Sequence, residues 1–209
     1  MSLEKAKKYL EEKGYADHVI ELKESSATVQ LAAEALGVEP GMIAKTISFL
    51  TEAGPILILT EGTAKIANRK YKDYFHEKAK MIPFDEVEDY IGHAPGGVCP
   101  FGIKDGVKVY LDESLKRYDT VYPAAGNDHS AVKLTIVELE EVAGACGWID
   151  VFKYIPIDVN TTHERRRFIW LQNQQIYMQG LNQMSKKKQS SMKNWRKDMR
   201  ICRLDGQKM

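Results

Sequence analysis

The chain has 209 residues, of which 44% are hydrophobic and 28% are charged, and its formal net charge is +1 at pH 7. No apolar run approaches the roughly 20 residues of a membrane-spanning helix, and the charged start MSLEKAKKYLEEKG is unlike a signal peptide. The 3 cysteines are too few and too widely spaced for a disulfide framework or a CxxC zinc site. We therefore expect a cytoplasmic protein with no membrane partner and one well-buried core.

Charge is divided unevenly along the chain. Residues 155–209 carry 12 Lys+Arg against 4 Asp+Glu, whereas residues 1–154 carry 18 against 25. The last part is also rich in Gln and Asn and contains RRR and KKK runs. We predict a folded domain over 1–154 and a basic C-terminal extension over 155–209. Basic tails are more often solvated than specific, so the extension is expected to be dispensable.

Helix and strand signals alternate through the first half of this domain. Apolar residues at helical spacing predict a first helix that Gly14 ends. Ser25 and Ser26 are N-cap candidates for a second helix, which Gly37 ends. HVIEL (18–22) favours a short strand, and the β-rich runs TISFL and ILILT, joined by TEAGP, predict a hairpin.

The second half continues the alternation. IANRKYKDYF and DEVEDYI favour helices, with a strand over KAKMIPF between them. VKVYLD, TVYPA and AVKLTIV are typical of strands, GNDHS of a turn, and ELEEVAGA of a closing helix. Several strand pairs are linked too tightly for parallel crossovers. The pattern predicts an α/β fold, a single compact domain with a mixed, partly curled sheet flanked by helices.

Common catalytic and cofactor motifs are missing from the sequence. It contains no GxxxxGK[ST] loop, no GxGxxG after the first strand and no HExxH helix. The 5 histidines are scattered without metal-ligand spacing. We therefore expect neither a cofactor nor a metal.

Two features remain as candidates for chemistry. Lys45 lies in MIAKTISFL, where a turn enters an apolar strand, so its amine can meet a phosphate or carboxylate. A solvated lysine whose stem covers the core is the alternative, and physics alone favours it. The decapeptide HAPGGVCPFG (93–102) is either a tight connection or a platform that presents the backbone N–H groups of Gly96 and Gly97 to a ligand oxygen.

Together these segments resemble the YbaK/prolyl-tRNA-synthetase-associated editing domain family. AAEALGVEPGMIAKTISF, NRK and GGVCPFG follow one another in the family's order, and the resemblance covers about residues 15–150. It places the family lysine at Lys45, and the GGxxPxG loop on Gly96, Gly97, Pro100 and Gly102. The tail lies outside the resemblance, and the GNDHS turn matches only loosely.

The resemblance implies a barrel-like mixed sheet and a trans-editing hydrolase that deacylates mischarged aminoacyl-tRNA, with a small amino acid on tRNA-Pro or a similar tRNA as substrate. Such editing is needed because binding alone separates similar amino acids only modestly. The implied partners are the acceptor end of the aminoacyl-tRNA and an aminoacyl-tRNA synthetase. The implied catalytic residues are Lys45, Gly96 and Gly97, and the implied substrate-binding residues are Lys45, Val98, Cys99, Pro100, Gly102, Asp128 and His129.

Two alternatives belong to other functional classes. The same pocket could bind an aminoacyl-tRNA end or a nucleotide without turnover. A hydrolase with Cys99 as nucleophile and His93 or His129 as base is the second alternative, and it needs one of these histidines beside the thiol. An acidic domain is also an awkward partner for tRNA, unless recognition is limited to the acceptor end or is helped by a synthetase or the basic tail.

Overall fold

A computed structural model describes residues 2–154, and the predicted extension over 155–209 lies outside the described residues. The helices are α1 (Ser2–Glu12), α2 (Val29–Leu36), α3 (Asn68–Phe75), α4 (Val87–Ile91) and α5 (Ile136–Val142). The strands are β1 (Val19–Glu21), β2 (Ile43–Thr51), β3 (Gly54–Glu61), β4 (Lys65–Ile66), β5 (Lys108–Asp112), β6 (Thr120–Pro123), β7 (Ser130–Val132), β8 (Leu134–Thr135), β9 (Trp148–Ile149) and β10 (Phe152–Lys153). No helix within residues 2–154 is long and apolar enough to cross a bilayer.

Six strands form one curled, mixed sheet in the order β8-β6-β2-β3-β5-β9. The β2–β3 hairpin is its antiparallel centre, as the sequence predicts. β6 lies parallel to β2 on one side, and β5 and then β9 continue in parallel from β3 on the other. Two small antiparallel ladders, β1–β7 and β4–β10, lie beside this sheet. The predicted mixed α/β fold is confirmed.

The sheet has an apolar cluster on each face. Successive side chains of a strand point to opposite faces, and accordingly Leu57 and Leu59 belong to one cluster, whereas Ile56 and Ile58 belong to the other. Buried residues of α1, α4 and α5 cover the first face. Tyr71 of α3 packs on the second. The helices therefore flank the sheet on both faces.

Three details of the predicted elements are wrong. The N-cap of α2 is Thr28, whose side chain accepts the N–H of Leu31, and not Ser25 or Ser26. In KAKMIPF, only an isolated bridge between Met81 and Phe49 forms, in place of a strand.

The third difference concerns AVKLTIV, which stops being a strand before its last two residues. Thr135 and Glu138 form a capping box, in which each side chain accepts the backbone N–H of the other residue. This reciprocal cap starts α5 at Ile136. The local cap therefore overrides the β propensity of Ile136 and Val137.

Candidate functional site

Lys45 is anchored by the turn that follows β3. Its Nζ donates a hydrogen bond of 3.0 Å to the Gly62 carbonyl and a second, shorter one to the Ala64 carbonyl. Burial lowers the pKa of Lys45, while the charge of Glu61 raises this pKa and that of Lys65 lowers it further. An ammonium group has three N–H donors. Two are used by the turn, so one remains for a ligand, and the side chain is not the freely solvated lysine of the alternative interpretation.

The strand that carries Lys45 has a gap in its outer pairing. β3 pairs with β2 along Ala44–Thr51 on the inner edge. On the outer edge, β6 pairs only with residues 43–44, and the next partner is Met81, which bridges to Phe49. No described residue pairs with 45–47 on that side. These three residues therefore form an open strand edge between two paired stretches.

Thr46 lies at the middle of this open edge. Farther along β2, the Ile82 N–H donates to the Ser48 carbonyl at 3.2 Å, and the Leu50 N–H donates to the Lys80 carbonyl at 2.8 Å. Alternate residues of a strand present their backbone groups to the same edge, so the N–H and C=O of Thr46 also face outward. Its hydroxyl Oγ1 is buried and has no hydrogen-bond partner within the described residues. Thr46 thus offers its unpaired backbone N–H and C=O to a ligand, whereas its hydroxyl is enclosed in the interior.

A groove of about 460 Å³ opens beside this edge. Lys45, Ile47 and Phe49 alternate along β2 and therefore share the face that lines it. Apart from the polar side chains of Lys45, Lys65 and Asn68, the lining is apolar: Ile47, Phe49, Ala64, Ile66, Ala79, Met81 and Phe152. An apolar concave surface with a few polar groups at fixed positions is typical of small-ligand sites.

Residues 94–97 of the glycine-rich loop form a tight turn. The Gly97 N–H donates to the Ala94 carbonyl at 3.1 Å, and Gly96 has a φ of 89°. Proline at the second position and glycine with positive φ at the third are the signature of a type II turn. The Ala94 N–H donates to the Ser2 hydroxyl at 3.2 Å, so α1 holds the start of this turn. The loop is an ordered turn rather than a slack connection.

The turn changes which backbone donors are available. Because the Gly97 N–H is used inside the turn, it does not also face a ligand in this structure. The N–H groups of Val98 and Cys99 directly follow and have no hydrogen-bond partner within residues 2–154. Cys99 is fully buried, so the N–H of the partly exposed Val98 is the better candidate for a donor to a substrate oxygen.

The glycine loop packs closely on the backbone of the turn between β6 and β7. A Cβ on Gly97 would lie 2.3 Å from the Gly126 carbonyl oxygen, and a Cβ on Gly126 would lie 2.5 Å from that of Ser2. No side chain fits at either position. β6 ends at Pro123, the register partner of Ala44. The glycine stack, formed by Gly97, Gly126 and the Ser2 backbone, therefore follows directly on the strand that pairs with the start of β2.

Cys99 and His93 lie side by side in the interior. The Cys99 Sγ is 3.7 Å from His93 Nε2 and 3.7 Å from the Phe101 carbonyl, and Nε2 is 2.8 Å from that same carbonyl. Burial raises the pKa of the Cys99 thiol to about 12 and lowers the pKa of His93. A neutral thiol beside a neutral imidazole committed to a carbonyl is not an activated nucleophile. The structure disfavours a Cys99-dependent hydrolase.

Asp128 and His129 form an exposed pair at the tip of the β6–β7 turn. Asp128 Oδ1 is 2.8 Å from His129 Nδ1, and this hydrogen bond lowers the pKa of Asp128. The Asp128 carbonyl accepts the Ser26 N–H at 2.6 Å and its hydroxyl at 2.8 Å, and Ser25 donates to the Asp128 carboxylate at 3.3 Å. The pair therefore joins the segment before α2 to the glycine stack. Within residues 2–154, no three His, Cys, Asp or Glu side chains are placed to hold a metal ion.

The predicted site residues fall into two groups around β2. The glycine loop, which includes Pro100 and Gly102, contacts through Gly97 the turn that carries Asp128 and His129, and Val98 and Cys99 pack in the first apolar cluster. Lys45 reaches the groove on the opposite face. Within residues 2–154, Lys45 forms no hydrogen bond or ion pair with the loop, so a ligand must span the edge to meet both. Sequence reasoning missed Thr46 and Ile47, although the alternation in KTISF places Ile47 on the face of Lys45.

Comparison with known proteins identifies the family of this chain. The profile of the aminoacyl-tRNA editing domain matches residues 23–142. The chain belongs to this family. The uncharacterized protein YwhH of Bacillus subtilis (strain 168) is 46% identical over 154 residues, which cover 73% of this chain and 98% of YwhH. A crystal structure of a proposed trans-editing enzyme for prolyl tRNA synthetase has a TM-score of 0.67 and 31% identity, over 73% of this chain and 98% of that one.

Two further relatives connect the domain to tRNA. EbsC of Enterococcus faecalis (strain ATCC 700802 / V583), a proposed Cys-tRNA(Pro)/Cys-tRNA(Cys) deacylase, is 26% identical over 57% of this chain and 74% of its own length. The proline–tRNA ligase of Limosilactobacillus fermentum is 31% identical over 48% of this chain, a match that spans only 19% of the ligase. The editing domain thus occurs both as a separate protein and within a synthetase.

The glycine stack predicts unequal costs for alanine at neighbouring glycines. In Gly97→Ala the new Cβ meets the backbone of the β6–β7 turn, which cannot yield, so the free energy of unfolding should fall by about 3 kcal/mol. The control Gly96→Ala has open space, and its positive φ should cost only about 1 kcal/mol. Urea denaturation measures both, and equal losses would contradict direct backbone contact.

The burial of Cys99 predicts that its thiol is unreactive in the folded protein. Iodoacetamide at pH 8.5 should label the exposed Cys146 and leave Cys99 unmodified until urea is added. Peptide mass spectrometry of native and unfolded samples measures this. Rapid alkylation of Cys99 in the native protein would instead support the covalent alternative.

Proposed function

We propose that this protein hydrolyses the ester bond of mischarged aminoacyl-tRNA in trans, with a small amino acid on tRNA-Pro or a similar tRNA as substrate. The observation that carries this proposal is the open edge of β2, where the fixed ammonium of Lys45 keeps one free N–H beside an apolar groove. Family membership and the deacylase described for EbsC support it.

The strand edge suits the polar part of an aminoacyl ester. The unpaired N–H and C=O of Thr46 can pair with the substrate as a neighbouring strand would, and the remaining N–H of Lys45 can bind a ribose or phosphate oxygen of the 3′ end. The groove face of Ile47 then receives the amino-acid side chain. These contacts hold the ester in one orientation, with its polar part at the edge of β2 and its side chain in the groove.

Hydrolysis at this site needs no nucleophile from the protein, because an aminoacyl ester is already activated. Water attacks the carbonyl carbon, and negative charge develops on the carbonyl oxygen. The backbone N–H of Val98 stabilises that charge. The bond between the carbonyl carbon and the ribose oxygen then breaks, the ribose oxygen takes a proton, and the amino acid leaves with the water oxygen. Gly96 and Gly97 shape the turn that presents this donor.

We also propose that residues 1–154 form the complete editing domain and that the basic extension over 155–209 is dispensable for the chemical step. The match to YwhH supports this division, since the 154 matched residues cover 98% of YwhH and only 73% of this chain. A synthetase partner is part of the proposal because the same domain occurs inside proline–tRNA ligases.

Replacement of Lys45 tests the site. In Lys45→Ala, the single-turnover deacylation rate should fall by about 10²–10³, the usual cost of removing one polar group that acts on the reacting centre. The assay uses tRNA-Pro charged in turn with Ala, Cys and Ser. Lys108→Ala is the control, because it removes an exposed lysine on a different strand.

The outcomes of this assay separate the candidate functions. A full rate in Lys45→Ala would refute the role of the lysine. A parent protein that only protects the ester from spontaneous hydrolysis would be a binding module and not a deacylase.

Truncation tests the proposed division of the chain. A protein that ends at Tyr154 should fold and retain the single-turnover rate of the full chain on the best substrate of the panel. A loss of tRNA affinity, together with a weaker salt dependence of binding, would instead show that the extension clamps the tRNA backbone.

A further inference from the structure

Two lysines face each other across the two-pair ladder β4–β10 beside the groove. Lys65 of β4 and Lys153 of β10 are register partners, and both are exposed. Neither forms an ion pair within the described residues. Like charges directly opposite each other in an antiparallel pair are destabilising. The fold therefore keeps a repulsive pair in a ladder that has only two residue pairs, of which the lysine pair is one.

This lysine pair adjoins the candidate site. Lys65 lines the groove together with Lys45, and its charge contributes to the lowered pKa of that residue. Phe152, which precedes Lys153, also lines the groove. A ligand that reaches Lys45 thus passes Lys65, and Lys153 lies directly opposite Lys65 in the ladder.

Positive charge continues from the pair into α3. Residues 65–80 contain 6 Lys+Arg and 2 Asp+Glu, in a domain where acidic residues outnumber basic ones. Lys70 is neutralised by Asp150, whose carboxylate lies 2.7 Å from it. Arg69 and Lys72 are exposed and have no ion pair within residues 2–154. The rim of the groove is therefore a local basic surface on an acidic domain.

We propose that Lys65 and Lys153, extended by Arg69 and Lys72, form the surface that binds the phosphate backbone of the tRNA acceptor stem. This inference rests on the proposed function, because an ester held at Lys45 brings the adjoining phosphates to this rim. Phosphate contacts supply affinity and orientation without reading sequence. A phosphate between the two lysines also relieves their repulsion. The basic surface explains how an acidic domain binds tRNA without its tail.

The test measures binding of the full chain to an uncharged, fluorescent RNA minihelix that copies an acceptor stem, between 50 and 200 mM KCl. Lys65→Gln/Lys153→Gln should reduce the slope of log Kd against log salt by about 2, roughly one unit for each phosphate that is no longer bound. At 100 mM KCl, Kd should rise by about tenfold or more. The control Lys8→Gln/Lys133→Gln makes the same change of net charge at exposed lysines on other elements.

An unchanged slope in the double variant, or an equal loss in the control, would overturn the proposal. A preference for poly-glutamate over the minihelix at equal charge would overturn the assignment of the basic surface to RNA. The melting temperature should stay constant or rise, since a like-charge pair is removed, and a fall would contradict the argument from repulsion. Because the minihelix carries no ester, a parent protein that binds it but hydrolyses no aminoacyl-tRNA refutes the proposed function alone.

Discussion

The pairing of β2 is the constraint on which the site depends. β3 occupies one edge of this strand throughout, whereas β6 and the bridge at Met81 occupy only the two ends of the other edge. A strand in the middle of a sheet normally has partners on both edges, and unpaired backbone groups are costly when buried. The gap at residues 45–47 is therefore a place where the fold leaves hydrogen-bonding capacity unused. A ligand can complete the sheet there.

The elements around the gap are held by close backbone contacts together with side-chain hydrogen bonds. The type II turn at residues 94–97 is fixed by Ser2 from α1, and the glycine stack leaves no room for a Cβ at Gly97 or Gly126. Cys99 fills the space beneath this turn as a neutral thiol. Rigid backbone donors suit the stabilisation of a developing oxyanion, because they need no reorganisation during the reaction.

Much of the fold could be predicted from local sequence signals. The β2–β3 hairpin has strong β propensity on both sides of a turn-rich link, and Gly37 ends α2 with a φ of 69°. Partners distant in sequence could not be predicted. The Ser26 hydrogen bonds to Asp128 join residues 102 positions apart, and they take Ser26 away from the helix cap that its position suggests.

The candidate site could likewise be predicted only where local sequence signals mark it. Lys45 and the glycine loop stand out in the sequence because of their composition and their resemblance to the family. The open edge at Thr46 is invisible there, because it arises from where β6 stops pairing and where Met81 begins. The basic surface cannot be predicted from the sequence either, since Lys65 and Lys153 become neighbours only when β4 and β10 pair.

The central claim is that substrate completes the open edge of β2, and backbone amide NMR tests it most directly. The ligand is a hydrolysis-resistant amide analogue of alanyl-adenosine, titrated into the labelled protein. The account predicts that the Thr46 amide shifts and exchanges more slowly with solvent at saturation, together with shifts at Val98 and Cys99. Saturating binding that leaves the Thr46 amide unchanged, with shifts confined to residues away from β2 and the glycine loop, would contradict it.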